Sequence, residues 1–133
     1  MGRNDASSMG CTPNGSESTM TADDPLVTDP GHYRLLWENE HVRVLDYSDE
    51  PGDQTHPHHH PDSVMVTLTS FERQLTAGDR TAQVALDAGT AVWLAAQEHS
   101  GRNTGTTPTH TILIELKEAT DTGVPTSVLG PSH

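Results

Sequence analysis

The stretch HPHHHPD, residues 56–62, sets the terms for the rest of the chain. It follows Pro51-Gly52 and leads into an apolar, strand-like run from Val64 to Leu68. Along an extended chain every second side chain faces the same way. His56, His58 and His60 therefore share one face, and His59 points to the other. Two imidazoles two residues apart on a strand are well placed to hold one metal ion. A third ligand has to come from elsewhere, and His99 in QEHSGRN is the candidate. Taken alone, such a run also fits an exposed cluster that binds metal adventitiously.

On either side of this stretch the chain reads as all-β. Tyr33 to Trp37 and Val42 to Tyr47 are strands around a Glu38-Asn39-Glu40 turn. Val64 to Leu68 alternates. Phe71 to Thr76 and Thr81 to Leu86 flank Ala77-Gly78-Asp79-Arg80, a plausible hairpin turn. Thr90 to Ala95 follows the Ala88-Gly89 turn. Thr109 to Lys117 is the clearest strand, with His110, Ile112, Ile114 and Leu116 on one face and Thr111, Leu113 and Glu115 on the other. No helix pattern of ten residues or more appears. Many short strands with regular turns suggest a sandwich or a small barrel.

At 133 residues the chain is expected to form one domain, residues 32–118. Residues 1–31 are rich in Ser, Thr, Asn, Asp, Gly and Pro and read as a disordered or loosely attached tail. Residues 119–133 read as a second tail. With five aromatic residues, the core has to rest on Val, Leu, Ile and Ala. The net charge of −12 argues against nucleic acid and anionic membrane as partners and favours a metal cation over a phosphate. Lys117 is the only lysine. One cysteine, Cys11, precludes an intrachain disulfide and suits a cytoplasmic location. Met9-Gly10-Cys11 lacks the hydrophobic segment that precedes a lipoprotein cleavage site, and no stretch is apolar enough to span a bilayer.

The chain resembles the cupin superfamily. The first cupin motif, G-x5-H-x-H-x3,4-E-x6-G, is matched by Gly52, His58 and His60, and the second, G-x5-P-x-G-x2-H-x3-N, by Gly89, His99 and Asn103 with one residue fewer between Gly and His. The two blocks follow in order, at a separation that suits a compact single-domain cupin. NTGTTPTHTILIELK, residues 103–117, is similar to the last strands of small cupins. The resemblance covers positions 33–118. It departs at Val64 and Met65, where the motif has Glu, at Ser70-Phe71, where the first motif ends in Gly, and at Ala95-Ala96-Gln97-Glu98, where the second has Pro and Gly. It implies a cupin-type small β-barrel, or double-sheet jelly roll. It also implies a metal site of three histidines, His58, His60 and His99, without the usual carboxylate. Cupins with three-histidine sites include thiol dioxygenases and diketone-cleaving dioxygenases.

Neutral imidazoles suit iron, zinc, copper and nickel better than magnesium or calcium. Three of them leave the charge of a divalent ion uncompensated and leave coordination positions open. The cofactor expected is one divalent ion, Fe, Zn, Mn or Ni. His56 and His110 are the candidate catalytic residues. His56 has the parity of a fourth ligand, a base or a rim residue. His110 is a satisfied core histidine or, where its face lines the lumen, an acid/base or substrate contact. Val64, Val66 and Leu68 share the parity of the ligands and are expected to line the substrate cavity. Trp93 is either lumen wall or packing between sheets. Asp62 and Asn103 are candidates to support the ligand histidines from behind.

These features point to a small metal-dependent enzyme acting on a small organic substrate, by dioxygenase or isomerase/lyase chemistry. A non-catalytic module that binds a metal or a small molecule is the alternative, as is a degenerate, metal-free cupin serving as a dimeric scaffold. An apolar outer face and an open sheet edge favour a homodimer in each case.

Overall fold

The computed structural model describes residues 21–118. A four-residue helix, α1 (Pro25–Thr28), precedes nine strands: β1 (Tyr33–Glu38), β2 (Val42–Asp49), β3 (His58–His60), β4 (Ser63–Thr67), β5 (Phe71–Ala77), β6 (Arg80–Leu86), β7 (Ala91–Leu94), β8 (Gln97–Asn103) and β9 (Thr109–Leu116). They form two antiparallel sheets, ordered β1-β2-β9-β4-β7 and β3-β8-β5-β6, facing each other as a double-sheet jelly roll. Among the described residues no helix is long and apolar enough to cross a membrane.

The expected strands form close to their expected limits. The hairpin of β5 and β6 turns at Gly78-Asp79, between Ala77 and its partner Arg80. Gly52 and Gly89, the opening glycines of both histidine-bearing blocks, have φ of +91° and +81°. Side chains with a Cβ rarely adopt that backbone, which gives both glycines a physical reason.

Three features differ from the sequence reading. The first is β8, whose polar run QEHSGRN hides a strand because its buried positions are His99, Gly101 and Asn103 rather than apolar residues. The second lies ahead of the barrel, in residues assigned to a loose tail. Asp24 caps α1 by accepting from Leu26 N at 2.9 Å, and Asp29 is buried. Pro25 and Leu26 pack there as well, so the ordered unit begins before residue 32. The rest of the two expected tails, 1–20 and 119–133, lies outside the described residues.

The third difference is the face of β9. Thr109, Thr111, Leu113 and Glu115 point inward, while His110, Ile112, Ile114 and Leu116 lie outside. The sequence places the apolar stripe in the core or along the lumen, yet the interior takes the polar alternates because it holds polar groups. β4 follows suit: Met65 points inward, and Val64 and Val66 point out. On the outer face Trp37, Val44, Ile114, Val64 and Trp93 stand in one cross-strand row spanning all five strands.

The apolar core is small: Tyr33, Leu45, Tyr47 and Leu113, with Leu26, Met65 and Leu94 against them. Two buried ion pairs fill much of the remaining interior. Arg73 Nη1 meets Asp49 Oδ2 at 2.5 Å, and Arg43 donates from Nε and Nη2 to Glu115 Oε1 at 2.9 and 2.8 Å, with Asp24 at 2.9 Å from Nη1. Such pairs add little net stability, but removing one partner typically costs ~3–5 kcal/mol.

The inward and outward assignments carry different costs. Leu45→Ala, at a fully buried position, is expected to lower the urea-unfolding free energy by ~2–5 kcal/mol. Leu68→Ala, at a side chain 48% exposed, is expected to change it by no more than about 0.5 kcal/mol. Equal losses would contradict the assigned faces.

Candidate metal centre

Antiparallel pairing of β3 with β8 sets His58 directly opposite His99, with His60 opposite Gln97. The lead-in to β3 is tied to the same strand: Gly52 N donates to Asn103 O at 2.9 Å and Thr55 N to Gly101 O at 2.8 Å. His58 and His60 project from one face of β3, and His99 joins them from its neighbour. Their ring centroids lie 4.7 Å (58–60), 5.0 Å (58–99) and 5.1 Å (60–99) apart. One ligand atom from each lies within 4.8 Å of the others, and all three side chains are buried.

The hydrogen bonds behind the rings assign their tautomers. His58 Nδ1 lies 2.7 Å from the His56 carbonyl oxygen, which can only accept, so Nδ1 carries the proton. His60 Nδ1 lies 3.2 Å from the Glu115 carboxylate, and His99 Nδ1 lies 2.7 Å from Gln97 Oε1. Gln97 Nε2 donates to Ala95 O at 2.9 Å, which fixes that amide with its oxygen toward His99. With Nδ1 engaged, each ring is left with Nε2 to offer a metal. Among the described residues the donor that meets them is the Tyr33 hydroxyl, 3.3 Å from His58 Nε2 and 3.4 Å from His60 Nε2. One O–H cannot serve three acceptors, and each buried acceptor left unmet costs about 1–3 kcal/mol. A divalent cation answers all three at once, so this donor set fits a metal.

The electrostatics agree. Burial, then the neighbouring His60, pulls His58 down to about 4. Burial, then His60 and His58, pulls His99 down to about 3. Both rings are therefore neutral near pH 7, the state a metal ligand requires. Burial pushes the Tyr33 phenol well above its usual range.

No family model matches the sequence, and no curated protein does. Solved structures do match. A cupin domain from Bordetella pertussis Tohama I is 26% identical, with a TM-score of 0.60 over 64% of this chain and 91% of that one. The protein belongs to the cupin superfamily. A cupin 2 conserved barrel domain protein from Salinispora arenicola CNS-205, 17% identical, shares the fold with a TM-score of 0.50 over 65% of this chain and 75% of that one. So does a protein from Bacillus halodurans, 23% identical, with a TM-score of 0.52 over 68% and 73%.

The cupin barrel encloses a cavity of about 80 Å³ between the two sheets. The three histidines, Tyr33, Met65 and Arg73 are among its lining residues. Arg73 is buried there, held by Asp49, by Thr109 Oγ1 at 3.2 Å and by Tyr47 Oη at 3.2 Å. Its guanidinium fills space beside Gly101: a Cβ on that glycine would come within 2.7 Å of Arg73 Nη2.

Several residues expected at the site lie elsewhere. His56 is exposed on the rim, where its ring Nδ1 and backbone N–H both meet Asp29. The strand covers only 58–60, so the two-residue parity does not reach back across Pro57. His110 pairs with Asp46 on the outer face, Nε2 to Oδ1 at 2.7 Å. Val64, Val66, Leu68 and Trp93 do not line the cavity; Met65 and Leu94 do. The Pro61-Asp62 break between β3 and β4 shifts the parity by one, and Trp93 is 57% exposed. Asp62 accepts instead from Ala96 N at 2.8 Å, tying the start of β8 to the turn after β3. Asn103 is buried but donates to Asp49 Oδ1 at 3.0 Å and Thr107 O at 2.9 Å, anchoring the loop before β9.

The groups that do stand behind the ligands are Asp29, Glu115 and Gln97. Gln97 was within reach of the sequence, two residues before His99 on the same strand face. Glu115 had one signal, a carboxylate inside an apolar strand. Asp29 and Tyr33 had none, because tertiary packing alone brings them there.

A pH dependence follows for the protein kept free of metal by a chelator. Unfolded histidines take up protons near pH 6.5, whereas His58 and His99 in the folded chain do so only near 4 and 3. Between those values the unfolded state binds more protons, so acid favours unfolding. Stability is complete above about pH 6.5 and falls toward pH 4, each histidine contributing up to ~1.4 kcal/mol per pH unit. Urea unfolding between pH 7.5 and 4 measures this, and a flat profile would contradict it.

Proposed function

We propose that this cupin is a metal-dependent enzyme acting on a small organic substrate, with His58, His60 and His99 holding one divalent ion, Fe, Zn, Mn or Ni. The observation that carries this is the meeting of three buried imidazoles whose Nδ1 atoms are already engaged, with one hydroxyl shared between two of their Nε2 atoms. When bound, the ion supplies Lewis acidity, and iron adds one-electron chemistry with dioxygen; dioxygenase and isomerase/lyase reactions both fall within that range.

The chain's own residues restrict the substrate. The cavity of about 80 Å³ is far below the ~300–1,000 Å³ of clefts that take drug-sized ligands, which favours a small molecule. Met65, Phe71, Leu75, Val84 and Leu94 give it an apolar wall that limits water. Neutral imidazoles leave the ion's charge uncompensated, so an anionic or chelating substrate is favoured. An acidic chain with a single cysteine fits the cytoplasm.

Elemental mass spectrometry on tag-free protein tests this proposal. Near one divalent ion per chain is expected, lost in the His58→Ala/His99→Ala double variant. Iron would direct assays to oxygen uptake, and zinc, manganese or nickel to isomerase and lyase substrates. A bound metal without turnover would leave a binding module, and no metal would leave a metal-free scaffold.

We infer further that the cupin works as a homodimer joined through the outer face of the five-stranded sheet. Five strands of four to eight residues cover roughly 500 Å², just under the lower limit per partner for a specific interface, so the adjoining turns complete the contact. The row from Trp37 to Trp93 is apolar, while Arg34 and Asp46 add both signs of charge at one end, which suits a two-fold contact between like copies. Light scattering at micromolar concentration is expected to give twice the chain mass, halved by Val64→Lys/Trp93→Glu. Wild-type protein at single-chain mass would overturn the dimer.

A further inference from the structure

The cupin motif places a carboxylate where this chain has Val64 and Met65. Among the described residues no Asp, Glu or Cys joins the three histidines at ligand spacing. Glu115 and Asp29 stand behind the rings, on their Nδ1 side. The oxygen that reaches the Nε2 side is Tyr33 Oη.

Its distances to two of the three histidines are those of a ligand. Two donor atoms each ~2.0–2.1 Å from one ion, at the tetrahedral angle, lie roughly 3.3–3.4 Å apart. Tyr33 Oη is 3.3 Å from His58 Nε2 and 3.4 Å from His60 Nε2. Among the described residues those two nitrogens are the hydroxyl's hydrogen-bond partners. An ion that takes both lone pairs leaves the buried O–H without them, and the oxygen's own lone pair then faces the ion.

The position is fixed in advance. Tyr33 opens β1, opposite Tyr47 on β2, with the ring centroids 4.6 Å apart. Its backbone N–H donates to Asp29 O at 3.0 Å. The histidines come from one sheet and the phenol from the other, so the four groups close over the cavity from both sides.

We propose that Tyr33 is the fourth protein ligand of the metal, supplying the oxygen that the motif's missing carboxylate supplies in other cupins. The proposal rests on the metal-centre reading above. Coordination exchanges the phenol O–H for an oxygen–metal bond, the proton passes to solvent, and no electron moves.

Ferric iron loaded into chelator-stripped, tag-free full-length protein provides the test, because an iron(III)-bound phenolate absorbs in the visible by charge transfer. The wild type is expected to hold near one iron per chain and show the band. Tyr33→Phe is expected to keep the iron and lose the band. The chain has only two tyrosines, Tyr33 and Tyr47, so a band that persists in Tyr47→Phe belongs to Tyr33 even if Tyr33→Phe does not fold. Stoichiometric iron without the band would overturn the Tyr33 ligand and leave the three-histidine site standing. A band that survives Tyr33→Phe, or is lost in a folded, iron-loaded Tyr47→Phe, would also overturn it. Failure of the wild type to bind iron, zinc, manganese or nickel would overturn the metal centre and this ligand together.

Discussion

The interior of this barrel is organised by the register between β3 and β8. That register places His58 against His99 across one antiparallel pair and leaves His60 one step along the same face. Each ring then needs an acceptor behind it to hold its tautomer, and these come from three different places: the His56 carbonyl, Glu115 and Gln97. Glu115 in turn requires a counter-charge at that depth, supplied by Arg43, which reaches on to Asp24 ahead of the barrel. A chain of dependence therefore runs from one strand pairing through the ligands to residues that precede the first strand.

This arrangement explains the composition of the core. A site of bare imidazoles, two phenols and a guanidinium occupies the space where a β-sandwich of this size usually stacks aliphatic side chains. Apolar burial is left to a handful of residues around Tyr33, Leu45 and Tyr47. Cohesion across the sheets comes instead from groups that are matched one to one, such as Arg73 with Asp49 and Tyr47. Matched polar interiors tolerate substitution poorly, since removing one member leaves another buried and unmet. The apolar side chains displaced from the inside appear on the outer face of the larger sheet.

Much of this was legible in the sequence, and the limits have physical causes. Alternation along 58–60 put His58 and His60 on one face, and the spacing of Gly89, His99 and Asn103 added His99 to the cluster, because strand parity and turn glycines are local properties. The cupin fold followed from the two blocks together. The inward face of β9 was misjudged because apolar alternation normally marks the buried side, whereas this lumen is polar. The parity from His60 to Val64 failed at Pro61-Asp62, where the chain changes sheets. Tyr33 and Asp29 were invisible because nothing in their neighbourhood in sequence tells which distant strand they meet.

Gly101 and Arg73 illustrate a constraint of another kind. The guanidinium occupies the volume that any side chain at 101 would claim, at 2.7 Å from where its Cβ would lie. Neither position is free to change first: a side chain at 101 collides with the arginine, and a shorter residue at 73 strands Asp49. Across descendants of this sequence the two sites should drift as a linked pair, with glycine retained wherever the arginine is.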